Sequence, residues 1–160
     1  MTDNQKEQVK KMFDDIYEIK VEVIEGGRLP TKAHASDAGF DVYAPKDVYI
    51  APGEVVKIPL ALKLNLPEGC WARVETKSGL GAQGMLVYAG VIDRGYCGEI
   101  NCIATNLKTH GHCQNILVKK GEKLCQITMN PYSENFYMTE VDKIENNTDR
   151  GEGGFGSTGK

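Results

Sequence analysis

What most constrains this chain is a series of short apolar runs, each closed by turn-forming residues, recurring about every ten residues from position 19 onward. Ile19, Val21 and Val23 alternate with Lys20 and Glu22, the two-residue period of a strand with one face buried. Further runs cover residues 40–43, 48–50, 55–64, 70–75, 85–92, 99–104, 116–119 and 124–129. Gly26-Gly27, Pro45, Pro52-Gly53, Pro67-Glu68-Gly69, Gly111, Gly121 and Pro131 punctuate them. No helical pattern intervenes, and a parallel α/β fold needs crossover helices. The expectation is therefore an all-β sandwich, jelly roll or barrel built from short antiparallel strands.

The two ends read differently. Val9, Met12, Phe13 and Ile16 fall at i, i+3, i+4 and i+7, and Asp3 or Asn4 can cap the start, so a short amphipathic helix is expected over 1–18. Its stripe needs a partner surface. Residues 145–160 are rich in charge, amide and glycine, with Phe155 the one large apolar side chain. Such a segment cannot form a core, so a flexible arm is expected there unless a ligand orders it. The organisation read from the sequence is a helical extension at 1–18, a β domain at 19–144 and a glycine-rich arm at 145–160.

Composition narrows the function. A chain of 160 residues suits one domain, and 41% hydrophobic content excludes a disordered or collagen-like polymer. No apolar run is long enough to cross a bilayer as a helix, so no membrane role is expected. The polar, mixed-charge start reads as neither a signal nor a transit peptide. The net charge of -3 argues against a broad nucleic-acid-binding face while leaving room for a local phosphate site. Five cysteines without a CxxC pair point to reduced thiols and a cytoplasmic setting. His110, His112 and Cys113 near Cys97 and Cys102 raise the question of zinc, but they lack the tight paired spacing of a structural site. Buried, inert thiols are the expectation.

Several turns carry chemistry. The tail Arg150-Gly151-Glu152-Gly153-Gly154-Phe155-Gly156-Ser157-Thr158-Gly159-Lys160 satisfies GxGxxG and most of a P-loop. Both motifs work by opening a helix onto phosphate, and none follows in the sequence here, so neither is expected to operate. Exposed backbone N–H groups, two hydroxyls and an Arg remain suited to phosphate. Thr76-Lys77-Ser78-Gly79-Leu80-Gly81 offers a cation, a hydroxyl and free N–H groups for the same purpose. Ala35-Ser36-Asp37-Ala38-Gly39-Phe40-Asp41, taken alone, is a turn. Gly90-Val91-Ile92-Asp93-Arg94-Gly95-Tyr96-Cys97-Gly98-Glu99-Ile100 reads as a hairpin with Asp93 and Tyr96 at its tip.

These segments, in this order, resemble the all-β, homotrimeric deoxyuridine triphosphatase (dUTP pyrophosphatase) family. Its five motifs correspond to Ala38-Gly39-Phe40-Asp41, to Lys77-Ser78-Gly79-Leu80, and to Gly90-Val91-Ile92-Asp93 through Tyr96 and Gly98-Glu99. The fourth is Gly121-Glu122-Lys123-Leu124-Cys125-Gln126, and the fifth is Arg150-Gly151 with 153–159. The resemblance runs from about Ile19 to the last residue. It implies a distorted jelly roll or β-barrel and Mg2+-dependent hydrolysis of dUTP to dUMP and pyrophosphate. It also implies three chains sharing their sites.

By the same resemblance Asp93 is the catalytic base. Lys77, Ser78, Gly79, Gln126, Arg150, Gly156, Ser157 and Thr158 bind phosphate, while Gly90, Val91, Ile92, Asp93, Tyr96, Gly98 and Phe155 hold base and sugar. Metal ligation falls to the substrate phosphates and water, with Asp41 acting indirectly, through metal-bound water or by holding Arg150. The sequence departs from the usual pattern at Lys77, where Arg is commoner, and at Gly81, Gly95 and Cys97, where Ala, Asp and Arg are frequent. Two other readings stay open. A deoxycytidine triphosphate deaminase would use Glu99 as an acid–base group, and a regulatory binding module would keep the fold and act on a protein partner.

Overall fold

A computed structural model of the chain describes residues 2, 17–88, 90–108 and 114–144. The helix expected over 1–18 falls almost wholly outside the described residues, as do the arm at 145–160 and the trio His110, His112 and Cys113.

The regular secondary structure of the described residues is nearly all strand. Its elements are β1 (Lys20–Val23), β2 (Gly39–Tyr43), β3 (Val48–Ile50), β4 (Val55–Pro59), β5 (Leu62–Asn65) and β6 (Cys70–Thr76). A single helical turn, α1 (Ser78–Gly81), precedes β7 (Met85–Tyr88), β8 (Val91–Ile92), β9 (Asn101–Asn106), β10 (Ile116–Val118) and β11 (Lys123–Pro131). A four-stranded sheet runs β2-β11-β6-β8 and a three-stranded sheet β4-β9-β7; β1 pairs with β5, and β10 with β3. Every pairing between these strands is antiparallel. The jelly-roll expectation describes this arrangement, and the described sheets do not close into a barrel.

The core lies between the sheets and follows from alternation. Val48 and Ile50 point inward on β3 and Tyr49 outward, as Ile116 and Val118 do on β10 with Leu117 outward. Ile50, Leu60, Leu62, Ile100, Leu124 and Ile127 are the largest fully buried apolar side chains. Asn106, equally buried, donates to the carbonyls of Ile50 (3.1 Å) and Gln114 (2.9 Å) and accepts from the Lys108 N–H (3.1 Å). A buried amide so fully paired adds specificity without an orphaned polar group.

Two runs that read as single strands are each divided between sheets. The 55–64 run breaks at Ala61, which takes a left-handed φ of 55°. Its N–H donates to Glu99 Oε1 (3.0 Å) and its carbonyl accepts from Ile24 N–H (2.9 Å), so β4 stays with β9 while β5 leaves for β1. The 85–92 run divides likewise, β7 staying with β9 and β8 crossing to β6. Apolar content alone does not reveal such a change of sheet, because each half supplies inward-facing residues to the same core, Ile58 and Leu62 in the first run and Met85 and Ile92 in the second. The thiol expectation is half right: Cys102 and Cys125 are buried, Cys70 is half-buried and Cys97 is exposed.

Candidate active site

The phosphate motifs meet around one carboxylate. Asp41 on β2 lies directly opposite Gln126 on β11, so both side chains share a face of the sheet. Lys77 Nζ donates to Asp41 Oδ1 at 3.0 Å and Gln126 Nε2 to the same oxygen at 3.3 Å, while Lys123 Nζ lies 2.6 Å from Oδ2. Asp41 is only 4% exposed. Burial alone would raise its pKa, and that is the largest single influence. The hydrogen bonds from Lys123, Lys77 and Gln126 together outweigh it and hold the carboxyl below its ordinary range. The same contact raises the pKa of Lys123.

Lys123 is the member of this group that sequence reading missed, although it stands inside the fourth motif. In a regular strand, positions 123 and 126 face opposite sides. The pairing of β11 with β2 shifts register between Lys123 and Cys125, and that irregularity reverses the parity, so both side chains reach Asp41. Ser78 and Gly79 form the first half of α1, beside Lys77, and the space above Gly79 is open. Gly81 faces the Thr76 methyl, which a Cβ there would approach to 3.3 Å.

The base and sugar motif forms a cleft of about 230 Å³ lined by Gly90, Val91, Ile92, Asp93, Tyr96 and Glu99, with Val74 behind. Gly90 is a close backbone approach: its carbonyl accepts from Val74 N–H at 2.8 Å, and a Cβ would lie 2.3 Å from the Val74 carbonyl oxygen. The chain reverses at Asp93-Arg94-Gly95-Tyr96, where Tyr96 N–H donates to the Asp93 carbonyl (3.2 Å) and Gly95 takes φ 88°. A left-handed third turn position favours Gly, which accounts for its presence there. Tyr96 folds over Gly98, whose absent Cβ would stand 2.4 Å from the phenol oxygen. Asp93 and Tyr96 are exposed at the mouth of the cleft.

The expected hairpin is a loop. Its first arm, β8, pairs with β6, while on the far side Ile100 bonds Leu60 and Leu62. Glu99, the group a deaminase would need, lines the cleft but accepts the Ala61 N–H.

Within one chain the two groups stand apart. Ile92 lies opposite Ala72 on β6, which puts Asp93 beside position 71, whereas Lys77 follows the other end of that strand. The offset of six residues is roughly 20 Å at the usual strand rise. Arg150, Phe155, Gly156, Ser157 and Thr158 lie outside the described residues. Among the described residues, no three His, Cys, Asp or Glu side chains converge on a metal position.

Comparison with known proteins places these features. The family model described as dUTPase matches residues 25–159. The deoxyuridine 5'-triphosphate nucleotidohydrolase of Clostridium tetani is 38% identical over 148 residues, covering 90% of this chain and 98% of that one. The Pol polyprotein of ovine maedi visna related virus is 36% identical over 156 residues, 97% of this chain but 13% of the polyprotein's length. Among solved structures, the Staphylococcus bacteriophage 80alpha dUTPase with dUPNHPP shares the fold. Its TM-score is 0.76 at 24% identity, covering 89% of this chain and 99% of that one.

Proposed function

The chain belongs to the dUTPase family, and from that premise we propose that it hydrolyses dUTP to dUMP and pyrophosphate, keeping uracil out of DNA and supplying dUMP for thymidylate synthesis. The observation that carries the reading is the cleft in which Gly90, Val91, Ile92, Asp93 and Tyr96 converge, with an exposed carboxylate at its mouth.

Asp93 takes a proton from a water that attacks the α-phosphorus in line, and pyrophosphate leaves from the opposite side. Main-chain groups of the loop near Gly90 and Gly98 pair with the uracil edge. The narrow pocket excludes a thymine methyl, and the Tyr96 ring, seated on Gly98, blocks a ribose 2′-OH. Lys77, Ser78, the Gly79 backbone and Gln126 grip the phosphates. Asp41 acts indirectly by holding Lys77, Lys123 and Gln126 in place before substrate arrives, so little reorganisation is left for the chemical step. In the arm, Arg150, Gly156, Ser157 and Thr158 meet phosphate oxygens and Phe155 stacks on the base. Residues 145–160 would thereby close the site against bulk water.

The described residues fit an ion carried by the substrate rather than one caged by protein, since both Asp41 oxygens are already engaged by lysines. When bound to the phosphates, Mg2+ neutralises charge on the reacting oxygens, and it favours phosphate and water ligands.

The roughly 20 Å between Asp93 and the phosphate grips along β6 supports a shared site. A base on one chain and grips on another close that gap, as in a homotrimer whose three sites lie between subunits. No described helix is long and apolar enough to cross a membrane, and we read the enzyme as working in the cytoplasm.

Pyrophosphate release from dUTP, dCTP, dTTP and UTP with Mg2+ tests the reading. Only dUTP should turn over, and ammonia released from dCTP would replace it with the deaminase. Asp93→Asn should bind substrate and lose turnover by ~100- to 10,000-fold; turnover within threefold of the parent would remove Asp93 as the base.

A further inference from the structure

The loop that carries Asp93 is weakly tethered by its own backbone. Its incoming strand, β8, is two residues long and makes two register pairs with β6, and the turn itself is closed by one hydrogen bond of 3.2 Å. A carboxylate that must meet one water and one phosphorus needs better placement than that, because a misplacement of about 1 Å can cost roughly a hundredfold in rate.

The residue after Asp93 supplies a second tether. Arg94 Nη1 lies 2.8 Å from Glu134 Oε1 and 3.0 Å from Oε2, one guanidinium nitrogen spanning both carboxylate oxygens. The Tyr132 hydroxyl donates to Glu134 Oε1 at 3.1 Å. Tyr132 is itself fixed, its N–H donating to the Gly69 carbonyl at 2.9 Å just beyond the last pair of the β6–β11 ladder, Pro131 with Cys70. The chain Arg94–Glu134–Tyr132–Gly69 therefore ties the turn at Asp93 to the end of the sheet that β8 also leaves. The contact with Arg94 holds the Glu134 carboxyl below its ordinary range, so it stays charged at neutral pH.

An exposed ion pair contributes little to global stability, and this one is half-exposed on both sides. Its value lies in position. We propose that Glu134, acting through Arg94, is a positioning residue for the base: it fixes the 93–96 turn against the end of β11 so that the Asp93 carboxylate faces the α-phosphorus. The proposal rests on Asp93 being the base.

Steady-state kinetics on full-length Arg94→Ala, Glu134→Gln, Arg94→Glu, Glu134→Arg and the charge-reversed double variant Arg94→Glu/Glu134→Arg test it, with Asp93→Asn assayed beside them. The single variants should lose roughly 10- to 100-fold in kcat with KM within about twofold, and a non-hydrolysable dUTP analogue should bind them as it binds the parent. The double variant should recover most of the kcat loss of either reversal, and it is the fall of kcat with KM and analogue binding unchanged that a merely structural contribution to folding would not produce. Single variants with kcat within twofold of the parent, or a double variant no better than the worse single, would overturn the proposal. If Asp93→Asn itself keeps its turnover, the fault lies with the base assignment instead.

Discussion

Gly90→Ala isolates the backbone approach on which the cleft depends. The added methyl would stand 2.3 Å from the Val74 carbonyl oxygen, 3.1 Å from its nitrogen and 3.2 Å from its carbonyl carbon. All three are main-chain atoms of a strand paired on both edges, so no side-chain rotation relieves the clash. Either β8 moves off β6, giving up the 2.8 Å bond from Val74 N–H to the Gly90 carbonyl, or β6 bends. Overpacking costs ~1–3 kcal/mol and a lost backbone hydrogen bond ~0.5–1.5 kcal/mol, about 1.5–4.5 kcal/mol together. For a chain of this size that lowers Tm by roughly 3–18 °C. Thermal unfolding should be followed at fixed protein concentration. Gly79→Ala serves as control, because its Cβ meets nothing within 4 Å and α1 tolerates alanine. Since Gly90 leads directly into Val91, Ile92 and Asp93, kcat should fall as well. A Gly90→Ala variant melting less than the ~2 °C below parent that 1 kcal/mol would give, with parental turnover, would refute the close-approach argument.

Gly98→Ala should push the Tyr96 ring off its seat, since the new methyl would meet the phenol oxygen at 2.4 Å; the ratio of kcat/KM for dUTP over UTP should fall, and an unchanged ratio would remove Tyr96 as the sugar wall. Asp41→Asn tests the sign of a linkage. The folded carboxyl titrates below its unfolded value, so its stabilisation is full above about pH 4 and is lost as pH falls further through the folded pKa. Denaturant unfolding should show the parent's advantage over Asp41→Asn narrowing below about pH 4; a constant gap would contradict it. Refolding Asp93→Asn together with a chain truncated before Arg150 should restore activity that neither has alone, and inactive mixed oligomers would count against shared sites.

The all-β class was legible because turn residues recur at strand spacing, and because alternation such as Val48-Tyr49-Ile50 states which side faces the core. The chemistry was legible as ordered motifs, each local in sequence. What stayed hidden depends on parity and on distant partners. Lys123 reaches Asp41 only because a register shift turns it to the face of Gln126. Pro59 hints at an interruption of the 55–64 run, but the turn at Ala61 is held by Ile24 and Glu99, both far away along the chain. Glu134 and Arg94 are 40 residues apart and belong to no shared motif.

The division of single runs between sheets bears on how the molecule comes apart. β4 and β5 are joined through Leu60 and Ala61 yet serve different sheets, and β7 and β8 are separated by only two residues and do the same. The three-stranded sheet cannot melt without pulling on β5 and β8, which belong to two other sheets, so these three sheets have no seam between them along which one could open alone. Amide exchange in β4, β5, β7 and β8 should therefore share one ceiling, the free energy of global unfolding. Folding should be correspondingly slow, on the order of milliseconds to seconds, because β2 waits for β11 and β3 for β10, partners separated by more than half of the described chain's length.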